Sequence, residues 1–521
     1  MELNEKSLQE EDWWQNHHIA LPQYDRASVR EAAEKAPSWL HFGPGNIFRA
    51  FIAAVQQQVL NEGKAKTGII AVAPHSREAI DSVYRPHDDL SLMVTMKADE
   101  TESLEVIGSV VDCLDSNPDS PDWQSLERIV SAPSLEIISF TITEKGYKAA
   151  AGQSLAAPAD TMGKVTALLY KRFCAGGQPI TLLSLDNCSH NGSVLKAGIL
   201  KVAEGWNEQG SVPDGFLSYL QERISYPWTM IDKITPRPSQ DIAAELQAMG
   251  FEDMGFVQSK RGSFYAPFVN AEECGYLVIE DDFKNGRPAL EEGGVIFTDR
   301  ETVAKVERMK VCACLNPLHT ALAVYGCLLG YHRISDEMSD PDLKRFVVGL
   351  GAEGIKVVED PVVLKPKVFL KECLESRFPN AAIPDTPQRI ATDTSQKVGI
   401  RYGETIKAYA KLGRAAELEY IPWAIAGWCR YLMGVDDHGK AMALSPDPML
   451  NSLTDQFKAV GLGKPADVHA VLEPILSDAS IFGSDLYEAG IGEKVEHCFK
   501  QLILDQGAVR AALQQCVPQD D

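Results

Sequence analysis

Trp39-Leu40-His41-Phe42-Gly43-Pro44-Gly45-Asn46-Ile47-Phe48-Arg49 decides how the first half of the chain is read. Its first four residues form a short apolar run, and two glycines follow at once. Beyond them Ile47, Phe48, Phe51, Ile52, Val55, Val59 and Leu60 recur at helical spacing. The stretch therefore reads as strand, glycine-rich turn and helix. Such a turn lets the backbone approach a dinucleotide pyrophosphate, where the helix start offers unpaired N–H groups and the positive end of the helix dipole. Phe48 stands where the usual fingerprint has a third glycine, so a plain tight turn is an equal reading. Arg49 would meet phosphate or pair with a carboxylate.

Working outward, residues 67–72, 135–143 and 180–185 are apolar runs of strand length, separated by helical patterns. Residues 92–96 and 104–111 alternate like a hairpin. Strands interleaved with helices predict an α/β domain with a mostly parallel sheet. From Thr302 onward the pattern is helical, as in residues 318–329, 343–350 and 421–432. That predicts a long α-rich second domain, beginning between the Gly286-Arg287-Pro288 turn and Thr302.

The 521 residues carry 50 Lys and Arg against 73 Asp and Glu, a net charge of −23. A pI near 5.0 argues against a nucleic-acid binder, which needs a basic face for phosphate. No apolar run reaches the roughly 18–20 residues of a membrane span. The acidic, polar start Met1-Glu2-Leu3-Asn4-Glu5-Lys6 does not read as a signal peptide. Eleven scattered cysteines, with no C-x-x-C pair, read as reduced thiols. The expectation is a cytoplasmic protein, free of membrane and nucleic acid, acting as a monomer or small homo-oligomer.

Three further stretches bear on chemistry. Lys310-Val-Cys-Ala-Cys-Leu-Asn316-Pro317-Leu318-His319 sets a lysine, an asparagine and a histidine in an apolar segment. A buried lysine is costly unless paired or used, and burial favours the neutral amine that a general base needs. Asn316 and His319 share a helix face; Lys310 joins them only if the helix bulges near 314–316. The alternative is a helix start, with Asn316 as cap, Pro317 in the first turn and a satisfied core histidine. Ser184-Leu-Asp186-Asn187-Cys-Ser-His190-Asn191-Gly192 follows a strand. It is either a ligand-facing loop with amides for an oxyanion or an ordinary Asn-Gly turn. After the second strand, where an acid usually binds the ribose of NAD, stands Ala73-Pro74-His75-Ser76-Arg77. Ser76 and Arg77 would accept a 2′-phosphate or form a solvated turn, so NAD and NADP both stay open.

Taken in order, these landmarks resemble the polyol-specific long-chain dehydrogenases, from about Trp39 to Leu432. The others are Thr143-Glu144-Lys-Gly-Tyr147, Ile231-Asp232-Lys233-Ile-Thr-Pro236, Val278-Ile-Glu-Asp-Asp-Phe283 and Gly286-Arg-Pro288. That family includes mannitol 2-dehydrogenase, arabinitol dehydrogenase, fructuronate reductase and tagaturonate reductase. The resemblance implies a Rossmann-like dinucleotide-binding domain over residues 1–300 and a mainly helical domain over 301–521. It implies NAD, or NADP, as cofactor, bound by Gly43, Gly45, Asn46, Phe48, Arg49, Ser76, Arg77 and Glu144. It implies metal-independent chemistry with Lys310 as acid/base, Asn316 with Asn187 or Asn191 as oxyanion donors, and His319 on a neighbouring hydroxyl. Glu307 would relay the proton, and Asp232, Lys233, Arg389 and Lys397 would contact substrate. Three departures are visible: Lys310 precedes Asn316 by six residues where the family has five, Asp232-Lys233 replaces Asp-Arg, and the acid after the second strand is missing.

The expected activity is reduction of a keto-sugar acid to an aldonate, of the fructuronate–mannonate type, and its reverse. Mannitol–fructose interconversion is the runner-up. Rivals from other classes are a non-catalytic nucleotide or sugar-acid binder and a zinc-dependent dehydrogenase, though the sequence lacks a compact ligand set for zinc.

Overall fold

The computed structural model describes residues 1–521 apart from 76, 259–261, 263, 465 and 517–521. The chain divides into two compact units, Met1–Met96 with Thr101–Ala304, and Lys97–Glu100 with Lys305–Asp521.

The first unit is built on a six-stranded sheet of β1 (Trp39–Phe42), β2 (Ile69–Ala73), β3 (Val110–Asp115), β4 (Ile137–Phe140), β5 (Ile180–Ser184) and β6 (Ile224–Ser225), in spatial order 3-2-1-4-5-6. Every neighbouring pair is parallel. Both faces are covered, so the strands read as continuous apolar runs. Leu40, Phe42, Ile70, Val72, Ile138 and Phe140 join one core. Trp39, Ile69, Ala71, Ile137 and Leu183 join another. The strand order reverses between β1 and β4, and a sheet of this kind opens its ligand crevice at that reversal, beyond the carboxyl ends of the strands.

A smaller mixed sheet pairs Ser91–Met96 antiparallel with Glu102–Ile107. The antiparallel pair expected over 92–96 and 104–111 is present, but it ends at Ile107, and Val110 and Val111 belong to β3.

The second unit is helical. Its centre is α4 (Asn316–Leu329), which follows α3 (Arg300–Arg308) and the π turn Met309–Cys314. Helices α5 (Ile334–Ser339) and α6 (Pro341–Ile355) come next. Contrary to the hydropathy reading, one helical stretch, Arg300–Leu329, has a window of membrane-span length at mean hydropathy 1.4. That window is 83% buried within the protein, because α4 is a core helix with apolar residues on nearly every side.

Candidate active site

In the first unit the glycine turn joins β1 to the π turn Phe48–Ile52, which runs into α1 (Ala53–Asn61). Gly43 has φ +107°, and a Cβ there would lie 2.1 Å from the Thr141 carbonyl oxygen, so the backbone itself demands glycine. At Gly45 a Cβ would meet nothing within 4 Å. The fold does not need glycine at 45, and the missing side chain leaves the helix start open to a ligand. These two glycines, at the strand-order reversal, fit a dinucleotide pyrophosphate.

A chain of side chains holds this turn. The Trp39 indole N–H donates to Ser139 Oγ (2.7 Å), which contacts His41 Nδ1 at 2.7 Å. His41 Nε2 contacts Thr141 Oγ1 (2.9 Å), which donates to the Gly43 carbonyl (2.8 Å). With the Thr141 hydrogen committed to Gly43, His41 must donate from Nε2 and accept at Nδ1. Burial keeps it neutral by pushing its pKa down to about 3. Phe48 is buried and stacks on the His41 ring at 4.0 Å.

Arg49 is corrected here. It is 1% exposed and donates to the Ala266 carbonyl (2.6 Å) and to Asn46 Oδ1 (3.1 Å). Its guanidinium locks the turn from inside and does not face a phosphate. Arg77 is also engaged, lying within 3.5–3.9 Å of carboxylate oxygens of Asp81, Asp115 and Asp122. Ser76 lies outside the described residues.

At the carboxyl ends of β4 and β5, Asp186 accepts the N–H groups of Ile142 (2.8 Å) and Thr143 (3.0 Å) and the Tyr147 hydroxyl (2.6 Å). Thr143 sits at φ +64°, a strained position for a β-branched residue, and Asp186 holds it there. Glu144 is exposed beside it, and Asn187 is exposed in the loop after β5. Asn191 differs from Asn187. It starts α2 (Asn191–Glu208) at 1% exposure. Its amide nitrogen lies 2.8–3.3 Å from Ser184 O, Asp186 O, Thr229 O and Thr229 Oγ1. Both amide hydrogens are spent on the framework, so Asn191 is no oxyanion donor. Asp232 is buried, and Lys233 rests over the Phe51 ring at 5.5 Å.

In the second unit, Lys310 is 3% exposed on the π turn. The Leu315 N–H reaches back five residues to the Lys310 carbonyl (3.1 Å), the closure that defines a π turn. Pro317 lacks an N–H to continue the ladder, and the Thr405 hydroxyl takes the Cys312 carbonyl instead (3.1 Å). A bulge therefore exists, but it lies at Met309–Cys314, ahead of the 314–316 expected from the sequence. Asn316 opens α4 behind Leu315 and is half-buried. Glu307 is half-buried on α3.

His319, one turn into α4, has its Nε2 3.0 Å from Asp385 Oδ2. Burial pulls its pKa below the usual value, although Asp385 works against this. Asp385 is 7% exposed, and its Oδ1 accepts from Arg389 Nε at 3.0 Å and also from Arg389 Nη2. Burial alone would raise the Asp385 pKa; the hydrogen bonds from His319 and Arg389 and the Arg389 charge outweigh it and hold the carboxyl ionised. Lys397 is half-buried and donates to the Thr392 carbonyl. Burial and the neighbouring Arg401 lower its pKa.

The second unit thus carries Lys310 on the π turn and Asn316 and His319 in the first turns of the helix that follows it, with Arg389 and His319 sharing Asp385. Asp385 and Thr405 were missed in the sequence. Asp385-Thr-Pro-x-Arg389 did carry a signal, because an acid four residues before an arginine, across a Thr-Pro helix start, faces it. No cluster of three or more His, Cys, Asp or Glu side chains suited to a metal ion occurs among the described residues.

A dinucleotide-type crevice and a lysine–amide–histidine set define an oxidoreductase of the dehydrogenase class. Comparison with known proteins agrees. Residues 37–292 match the Mannitol dehydrogenase Rossmann domain, and 302–503 match the Mannitol dehydrogenase C-terminal domain. The chain therefore belongs to the mannitol dehydrogenase family. It is 49% identical to the D-mannonate oxidoreductase of Thermotoga maritima over 100% of both chains. It is 29% identical to the polyol:NADP oxidoreductase of Gluconobacter oxydans, covering 81% of this chain and 84% of the other. Among solved structures it is similar to the ternary complex of Pseudomonas fluorescens mannitol 2-dehydrogenase with NAD and D-mannitol. There the TM-score is 0.72 and the identity 26%, with 99% of each chain covered.

Proposed function

We propose that this protein is an NAD-dependent D-mannonate oxidoreductase, interconverting D-mannonate and D-fructuronate. The observation that carries the reading is the ion-paired Arg389 bound to the same carboxylate as His319, on the unit that bears the buried Lys310. Two bonds of the Arg389 fork go to Asp385. Its Nη1 edge has no partner among the described residues, which suits a substrate carboxylate. A chain of net charge −23 needs such a local cation to hold a sugar acid. Full-length similarity to a D-mannonate oxidoreductase supports the same choice.

The turn from Gly43 to Phe48 would hold the dinucleotide through backbone N–H groups. Bound NAD supplies a hydride acceptor, and its reduced form a hydride donor. Lys310 takes the hydroxyl proton as the carbinol is oxidised and returns it to the carbonyl oxygen on reduction. Asn316 and Asn187 donate to that oxygen as it gains negative charge. His319 holds a neighbouring hydroxyl. We assign NAD rather than NADP because Arg77 is already surrounded by Asp81, Asp115 and Asp122, which disfavour a 2′-phosphate. No resident metal is required by this scheme.

The test is oxidation by NAD of mannonate, altronate and mannitol, with NADP in parallel. We expect kcat/KM for mannonate to exceed that for mannitol at least tenfold, with NAD preferred. Better turnover of mannitol would make the protein a mannitol dehydrogenase instead.

A further inference from the structure

We propose that Asp385 is the positioning residue of the active site, fixing His319 as a hydrogen-bond acceptor towards substrate and Arg389 as the donor beside it. The inference rests on the reading of His319 and Arg389 as substrate-facing groups.

Asp385 is itself held rigidly. Its N–H donates to the Ile383 carbonyl (2.8 Å), and its own carbonyl accepts the Ile334 N–H at the start of α5 (3.1 Å). Thr386 follows and caps the short helix α7 (Pro387–Ile390) that carries Arg389, accepting the Arg389 N–H on its Oγ1 (3.3 Å). The carboxylate is divided between two clients: Oδ1 takes the Arg389 fork and Oδ2 faces His319 Nε2 at 3.0 Å.

A carboxylate only accepts, so the hydrogen between Asp385 and His319 sits on Nε2. Neutral His319 then presents a bare lone pair at Nδ1, which has no partner among the described residues. A lone pair takes a hydrogen bond from a sugar hydroxyl; it cannot donate to a carbonyl. The carbonyl oxygen is thereby left to Lys310 and the amides, and the hydroxyl beside it falls to His319. One carboxylate therefore sets both the orientation and the polarity of the histidine, and it also fixes the distance from the histidine to the arginine.

The test is a double-mutant cycle with Asp385→Asn, His319→Gln and the combined variant, assayed on mannonate. D385N keeps the shape but offers Nδ2–H to His319 Nε2, which reverses the tautomer. D385N and H319Q should each lower kcat/KM by about 10–100-fold. The double variant should fall no more than about threefold below the worse single one, because Asp385 acts through His319. Histidine ¹⁵N spectra, with the His319 signal assigned from its loss in H319Q, should show Nε2 protonated in the parent and Nδ1 protonated in D385N. Losses that multiply, or an unchanged His319 tautomer in D385N, overturn the proposal. An H319Q variant of parental activity overturns the reading of His319 itself and is a separate result. If D385N fails to fold, D385E is measured in its place. It should keep the Nε2–H tautomer while losing activity through the displaced carboxylate; parental activity in D385E overturns the positioning role.

Discussion

The π turn Phe48–Ile52 and the π turn Met309–Cys314 each widen a helix beside a proposed ligand group, yet they treat their basic residue in opposite ways. Arg49, on the first, is enclosed, with its two Nη groups donating to Ala266 and Asn46. The surface left for a ligand there is backbone: two glycines and a helix start. The second turn holds Lys310 in a buried place, beside Asn316 and a histidine whose outer nitrogen has no partner among the described residues. On the proposed reading the first unit offers shape and amide hydrogens, while the second offers the side chains assigned to proton transfer. A dinucleotide binds unchanged in charge at its pyrophosphate, so shape suffices for it. A carbinol oxygen changes charge during reaction, so it needs titratable and orientable groups.

The sharpest way to break this contrast is Lys310→Met. If the π turn of the second unit supplies the proton-transfer group, kcat should fall by about 10²–10⁴. NADH binding to the first unit should stay at the parental Kd in fluorescence titration. Equal losses in both measurements would dissolve the division of labour. The two asparagines after β5 sharpen it further. Asn187→Ala should cost about 10²–10³ in kcat, as expected for one oxyanion donor, with little change in melting temperature. Asn191→Ala removes the side-chain donor to the Asp186 and Thr229 carbonyls and the acceptor of the Thr229 N–H, and should cost about 1–3 kcal/mol in urea unfolding. If N191A is the variant that loses kcat without losing stability, the roles assigned to the two amides are reversed.

This asymmetry also governs what is legible in the sequence. The parallel sheet was legible because both of its faces are buried, which leaves uninterrupted runs such as β2 and β5. The glycine turn was legible because glycine spacing is a backbone property. The bulge under Lys310 was legible because Pro317 removes an N–H and the lysine needs to rotate. Arg49 was misread because adjacency to a phosphate-type turn says nothing about which way a long side chain folds; its acceptor, Ala266, lies far along the chain. Asn191 was ambiguous for the same reason, since Thr229 binds it from another sheet. Asp385 was invisible as a partner of His319 because their contact spans several helices, although its bond to Arg389 was written locally.

The glycines divide cleanly between fold and ligand. Gly43→Ala places a methyl against the Thr141 carbonyl at positive φ and should destabilise the first unit by about 2–5 kcal/mol. Gly45→Ala meets no protein atom within 4 Å and has no positive φ, so its melting temperature should match the parent. Its methyl would stand where the pyrophosphate approaches, weakening NADH binding by roughly ten- to hundredfold. Parental NADH affinity in G45A would remove the dinucleotide from this turn and leave the plain tight turn as its correct reading.

His41 tests whether the first unit is, as the contrast requires, free of proton exchange. Its pKa is about 3 in the fold against an ordinary 6.5, so the unfolded chain takes up a proton that the native protein refuses. At pH above 6.5 both states are neutral and the residue makes no pH-dependent contribution. As pH falls from 6.5 towards 3, the unfolded state binds more protons and stability must drop, with a slope approaching about 1.4 kcal/mol per pH unit. His41→Asn removes that uptake. The stability of the parent minus that of H41N, from urea melts at pH 7.5, 6 and 5, should be constant above pH 6.5 and decline below it. A difference that stays level down to pH 5 would mean that His41 titrates as in the unfolded chain. The Ser139–His41–Thr141–Gly43 relay would then be able to carry charge, and proton chemistry would no longer belong to the second unit alone.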